Sequence, residues 1–214
     1  MMSEQITSTQ VRHTTPPPPA DAAAAGISVF TVAVLLLGLQ FTDAIPATSG
    51  LAFIPMLFVC GLTQLIVGAI AVKGGDHVIG LFFCTFGPFL LSFAALNVGL
   101  IHGWWPVPAT DLAHVQGAFL IGWTAVLSLW LLLSVVLPLF FSLLLLLING
   151  ALWTLVGGIW NSNADLEKAS GWLLLACAVG GGYFMASRWL KWEGLDVLPL
   201  GRALVRARHG DGAF

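Results

Sequence analysis

Four uncharged polar side chains, Gln64, Thr85, Asn97 and Asn149, interrupt stretches of sequence that are otherwise almost wholly apolar. Amides and hydroxyls offer one chemistry, the giving and taking of hydrogen bonds. In apolar surroundings each must find a partner, either a neighbouring helix or a water-lined path. A second unusual stretch is "FFCTFGPFLLSF", residues 82–93, where Thr85, Gly87 and Pro88 lie close together. Pro88 cannot donate to the carbonyl of Cys84, and Gly87 removes a side chain beside it. A carbonyl freed in this way is tolerated in hydrocarbon where protein buries it or where it lines a cavity; the alternative is a plain kink. Phe86 and Phe89, three positions apart, share a helix face and are placed to form a narrow apolar constriction.

Other chemistries lack their parts. Ser92, Ser128, Ser134 and Ser142 have no adjacent His or carboxylate, and neither a phosphate-binding loop nor a dinucleotide fingerprint is present. His102, Asp111 and His114 share one polar loop, where the two histidines suggest a metal or proton site but lack a third ligand at a recognisable spacing. Cys60, Cys84 and Cys177 share no ligand spacing either and read as small apolar filler. An enzyme is disfavoured, and no cofactor or metal is expected.

The elements that position these residues follow from hydropathy. Of 214 residues 58% are hydrophobic and 8% charged, with a mean hydropathy of +0.94, against about a quarter charged in soluble domains. A bilayer core is about 30 Å thick and takes roughly 20 apolar residues to cross. Six such runs are present: 24–41, 51–72, 78–101, 115–135, 140–160 and 171–190. They are continuously apolar, where barrel strands would alternate. The expected fold class is therefore all-α, a polytopic membrane protein with six transmembrane helices. From Ala118 to Trp160 no residue is charged, a length that needs a break, and Pro138 is its natural place.

Residues 1–23 are polar and proline-rich and read as a disordered tail; residues 24–192 form the transmembrane domain, and 193–214 a C-terminal tail. Six spans put the tail, the 2–3 loop, the 4–5 turn and the C-terminus on one side, with Arg12, Lys73, Arg188, Lys191, Arg202, Arg206 and Arg208. The other side has Lys168 alone, which places both termini in the cytoplasm of a plasma (inner) membrane protein. The terminal "RALVRARHG" reads first as a solvated tail, with contact to anionic lipid as the alternative. Near-neutral net charge indicates no nucleic-acid partner. Trp104, Trp105, Trp160, Trp172, Trp189 and Trp192 sit at span ends, as in an interfacial belt, while Trp123, Trp130 and Trp153 lie deeper and read as packing. Recurring small residues, Gly61 with Gly68, Gly157 with Gly158 and Gly180–Gly182, read as helix contacts.

The order of these motifs resembles the acetate uptake transporter family, which includes SatP-like acetate and succinate permeases. The resemblance rests on "GLTQLIVG" (Gly61–Gly68), "KGGDHVIG", "TFGPF" (Thr85–Phe89), "GAFLIGW" (Gly117–Trp123), "LVGG" (Leu155–Gly158) and the stretch from "GWLLLACAVGGGYFMA" to "VLPLG". It covers about residues 24–202. Departures are present as well: the family's N-terminal Asn-Pro-Ala-Pro-Leu-Gly-Leu is reduced to "DAAAAGI", its Glu after span two is Ala71, and Asp76 and His77 replace an Asn-Thr. The family's third-span Tyr is Phe86, and the Trp after its Phe is Leu90. The resemblance implies a hydrophobic constriction that joins this aromatic to a span-one Phe, here Phe30. It also implies ring-shaped homo-oligomers, hexamers, with a pore in every protomer.

Together these readings give a transporter or channel for acetate-like short monocarboxylates, including succinate, crossing with a proton. Phe30, Phe86 and Phe89 set the constriction, Gln64, Thr85 and Asn149 offer hydrogen bonds to the carboxyl group, and Gly87 with Pro88 exposes backbone acceptors. No span holds a carboxylate or His to carry the proton, so the substrate brings its own as the neutral acid, with capture by Asp43 or His114 as the alternative. Two rival readings stand beside this one: a channel for small neutral solutes such as ammonia, urea or water, and a membrane component that transports nothing.

Overall fold

A computed structural model describes residues 22–46 and 51–205. The proline-rich stretch before Ala22 and the basic residues beyond Val205 lie outside the described residues. Among the described residues six long helices form: α1 (Ala22–Phe41), α2 (Ile54–Lys73), α3 (His77–Ile101), α4 (Leu112–Leu133), α5 (Leu139–Trp160) and α6 (Ala164–Trp192). All six are long and apolar enough to cross a membrane, so the chain is an all-α, multi-pass membrane protein.

Two boundaries show how local chemistry sets these elements. α4 ends at Leu133, a single tight turn follows over Ser134–Val136, and α5 begins directly after Pro138. The Ser142 hydroxyl donates to the Ser134 carbonyl at 2.8 Å, so this apolar turn is tied down by the helix it leads into. α6 starts seven residues before its apolar run at Gly171. The Asn163 side chain accepts from the backbone N–H of Asp165 and Leu166, and Asp165 and Glu167 occupy the first turn, where acidic groups suit the helix dipole. At 29 residues α6 is about 43 Å long, so both its ends project beyond the hydrocarbon.

Around the bundle the backbone neighbours run α3, α2, α1, α6, α5, α4. The tightest seam is α2 against α3, and glycine spacing makes it. Gly61 and Gly68 on α2 and Gly80 and Gly87 on α3 are each seven residues apart, two helical turns. A Cβ at Gly87 would lie 2.7 Å from the Gly61 carbonyl, and one at Gly68 would lie 2.7 Å from the Gly80 carbonyl. The helices run antiparallel with 61 opposite 87 and 68 opposite 80, backbone on backbone. A second seam joins α1 to α6, where a Cβ at Gly171 would meet the Thr42 backbone nitrogen at 2.7 Å. With little hydrophobic gain between helices in lipid, such close approach supplies packing that larger side chains prevent.

Side chains, not backbone, close the remaining side. Phe82 of α3 meets Trp130 of α4 and Phe141 of α5 edge-on, and Phe89 stacks on Phe119 of α4. Outside the hydrocarbon, Lys168 pairs with Asp43 at 3.1 Å on one face of the bundle, and Arg188 with Asp76 at 3.8 Å on the other. Residues 193–205 turn back across the α4–α5 turn. There Pro138 and Ala203 form an antiparallel bridge, and the Val205 N–H donates to the Val135 carbonyl at 2.9 Å.

The seam gives a direct test. Gly87→Ala is expected to lower stability by about 1–3 kcal/mol, because a new Cβ cannot displace backbone, as read by thermal unfolding in detergent. Gly122→Ala on α4, where a Cβ would meet nothing within 4 Å, is the matched control and should be neutral or stabilising.

Candidate functional site

Phe82, Phe86, Phe89 and Phe93 recur at i, i+4, i+7 and i+11, which puts all four on one stripe of α3. The α2 seam occupies another face of the helix, so the stripe points into the bundle. Ring centroids step along it at 5.7 Å (Phe82–Phe86), 5.2 Å (Phe86–Phe89) and 5.9 Å (Phe89–Phe93). Phe30 of α1 packs 5.0 Å from Phe86 and 6.1 Å from Phe82. Phe82, Phe86 and Phe89 are each no more than 2% exposed. The result is an aromatic column on the bundle axis, walled by Phe30, Trp123, Trp130, Phe119 and Phe141.

Above this column, on the face that carries the α3–α4 loop, lies a cavity of about 520 Å³. Gln40, Asn97, Gln116 and Glu167 give it a polar rim, and Phe93, Phe119 and Leu120 border its apolar part. The same Phe93 and Phe119 contact Phe89. The polar vestibule therefore ends on the top of the phenylalanine column.

Two amides stand beside the column with hydrogen bonds unmade. Gln64 is fully buried on α2, and neither its carbonyl nor its NH₂ has a partner among the described residues. Gly87 lies against Gly61 and Leu65, and Gly68 against Gly80 and Cys84, so the register puts Gln64 level with residues 84–88 of α3. Asn149 of α5 is 4% exposed; its Oδ1 accepts from the Ser128 hydroxyl at 2.6 Å, and its NH₂ is unpartnered. The indole N–H of Trp153 donates to the same Ser128 oxygen at 3.1 Å, and the one Ser128 proton is shared between Asn149 and the Thr124 carbonyl of its own helix at 2.8 Å. Trp123 touches Phe89 and Trp130 touches Phe82, so Ser128, between them on α4, carries Asn149 to the level of the column. A buried unpaired amide costs about 1–3 kcal/mol.

The sequence-derived candidates divide accordingly. Phe30, Phe86 and Phe89 meet in the column, and Gln64 and Asn149 flank it. Thr85 sits on the stripe of α3 that also holds half-exposed Leu81, and its hydroxyl donates to the Leu81 carbonyl at 3.0 Å. Gly87 is buried with its missing side chain filled by the Gly61 carbonyl, and the helix continues unbroken through Pro88. Asn97 donates to the Phe93 carbonyl at 2.8 Å and lines the vestibule. His102 and His114 each lie against a different ring, Trp104 and Trp160. Among the described residues no group of three His, Cys, Asp or Glu is placed to hold a metal ion.

Several participants escape a reading by hydropathy. Phe82 and Phe93 extend the stripe and carry their own signal in the i, i+4, i+7, i+11 spacing. Gln40, Gln116 and Glu167 lie at helix ends, where polar residues are ordinary, and only the fold gathers them. The Ser128–Trp153 support of Asn149 spans two helices and has no local signature.

The chain matches the GPR1/FUN34/yaaH family over residues 5–193. No curated protein matches it. Its fold is similar to the structure of the bacterial acetate channel SatP, with a TM-score of 0.76 and 22% sequence identity, covering 85% of this chain and 99% of that one. The six spans and the length of the match agree with the resemblance read from the sequence. The chain belongs to the GPR1/FUN34/yaaH family.

Proposed function

We propose that this protein is a membrane channel or transporter for acetate-like short monocarboxylates, with a pore inside each protomer that runs from the polar vestibule through the phenylalanine column. The observation that carries this reading is the coincidence, at one depth, of a closed aromatic column and two amides with unmet hydrogen bonds. A carboxylic acid needs a donor and an acceptor for its polar end and an apolar surface for its methyl end. Gln64 supplies both polar functions, the Asn149 NH₂ adds a donor, and the rings accommodate the methyl. Family membership and the likeness to an acetate channel point the same way.

The neutral acid is the species that this lining favours. Transfer of a bare carboxylate into an apolar site costs far more than transfer of a hydrogen-bonded neutral group. Phe86 offers no hydroxyl, and no described side chain of the column is ionisable. The proton thus travels on the substrate, and the constriction excludes the charged form. Succinate fits the same scheme as a longer acid. The basic residues gathered on the face with the termini make that face cytoplasmic by the positive-inside rule, in a plasma membrane. Exposed apolar side chains of α2, including Val59, Leu62, Ile66 and Ile70, offer a face for lipid or for further copies in a hexameric ring. The uncharged column also favours a second reading, a channel for small neutral solutes such as ammonia, urea or water.

The test is uptake of labelled acetate by proteoliposomes. A carboxylic acid has a pKa near 4, so its neutral fraction rises about tenfold per pH unit as the outside is acidified from pH 7 to 5. Uptake should follow that fraction; a flat pH profile with ammonia or urea flux intact would replace the first reading by the second. Phe86→Ala should widen the constriction and raise uptake of longer acids by about an order of magnitude relative to acetate, a change of about 1.4 kcal/mol in barrier. Gln64→Leu removes an amide that has no partner, so the variant should fold as well as the native chain, or better by about 1 kcal/mol. Its acetate flux should nevertheless fall several-fold; unchanged flux in the folded variant takes Gln64 out of the path.

A further inference from the structure

On the face with the chain ends, residues 196–202 fold back over the end of α6 and border a half-open cavity of about 660 Å³ that no part of the proposed path uses. Three hydrogen bonds fix its wall. The Ser187 hydroxyl donates to the Leu198 carbonyl at 2.8 Å, the Tyr183 hydroxyl to the Pro199 carbonyl at 3.0 Å, and the Phe140 N–H to the Leu200 carbonyl at 3.0 Å. Arg188, Lys191 and Arg202 line one part, and Val197, Leu198, Pro199 and Leu200 line another. Asp196 is the acidic residue of the lining. Asp76 draws on Arg188 at 3.8 Å, so the positive surplus rests mainly on Lys191 and Arg202, both exposed.

The height of this cavity in the membrane is given by its neighbours. Trp189 and Trp192, on the same last turns of α6, are 64% and 43% exposed, and tryptophan on an outer surface favours the headgroup level. Leu195 and Val197 are also exposed beside it. Cationic heads, an apolar wall and interfacial indoles together match an amphiphile with an anionic head. We infer that this cavity binds the phosphate of an anionic phospholipid headgroup, held by Lys191, Arg202 and Arg188, with the adjoining acyl chain along Trp189 and Val197. Basic pockets at this level of helical membrane proteins select anionic lipid through such contacts. Asp196, at the rim, is positioned to accept from a headgroup hydroxyl, which favours a phosphoglycerol head.

Native mass spectrometry of the full chain, stripped in a neutral detergent, reads this directly. Phosphatidylglycerol and phosphatidylcholine with the same acyl chains are titrated separately, each with and without excess inorganic phosphate. Phosphatidylglycerol should bind at one tight site per protomer, phosphatidylcholine should not, and inorganic phosphate should displace little of the lipid. Lys191→Gln with Arg202→Gln should weaken the tight site by about fivefold per cation removed. Lys191→Gln alone, a fully surface change, replaces the pair if the double variant does not fold. Equal retention of the two lipids, native-like binding by the variant, or full displacement by phosphate at matched concentration would each overturn the proposal, the last in favour of a free-anion site.

Discussion

The backbone contact between α2 and α3 governs the rest of this structure. Gly61, Gly68, Gly80 and Gly87 let two helices meet at carbonyl distance, and that contact fixes both the rotation and the register of α3. Rotation decides which stripe of α3 faces inward. With the glycine face given to α2, the stripe of Phe82, Phe86, Phe89 and Phe93 is left to fill the bundle axis. Register decides depth, and it sets Gln64 beside the middle of that stripe. A bulky residue at any of the four glycines would move the phenylalanines as well as the helix, so the packing and the aromatic column share one origin.

Hydrogen-bond accounting separates the polar residues of the spans into two kinds. Thr31, Thr63, Thr85, Ser92, Thr124 and Thr154 return their hydroxyls to carbonyls three or four residues back, which satisfies them without help from another helix. Gln64 and Asn149 are different. The Asn97 amide returns its NH₂ to the Phe93 carbonyl in the same way, but Gln64 and Asn149 are held at the level of the aromatic column with capacity to spare. In hydrocarbon that is a cost unless something transient repays it. The depth they share gives the column its polar counterpart.

Charge is confined to the two ends, where it fastens the fold. Lys168 with Asp43 ties the start of α6 to the turn after α1, and Arg188 with Asp76 ties the far end of α6 to the α2–α3 turn. Exposed pairs of this kind contribute less than about 1 kcal/mol each, so the spans hold together by packing. The returning segment 195–205 has a larger structural role on its face, since it covers the α4–α5 turn and supplies backbone partners to Phe140 and Val135.

Hydropathy alone determined that there are six helices, that they cross a membrane, and that Pro138 separates the fourth from the fifth, because each of those facts is local: about 20 apolar residues span a bilayer, and proline stops a hydrogen-bond ladder. Phe30, Phe86, Phe89, Gln64 and Asn149 were legible as candidates because aromatic and amide groups are conspicuous in an apolar run. Partnership was not legible. That Thr85 turns to its own helix, that Gly87 makes room for Gly61, and that Gln40, Asn97, Gln116 and Glu167 gather into one vestibule depend on helix rotation and register. Those follow from contacts between residues far apart in the chain, and only the tertiary structure decides them.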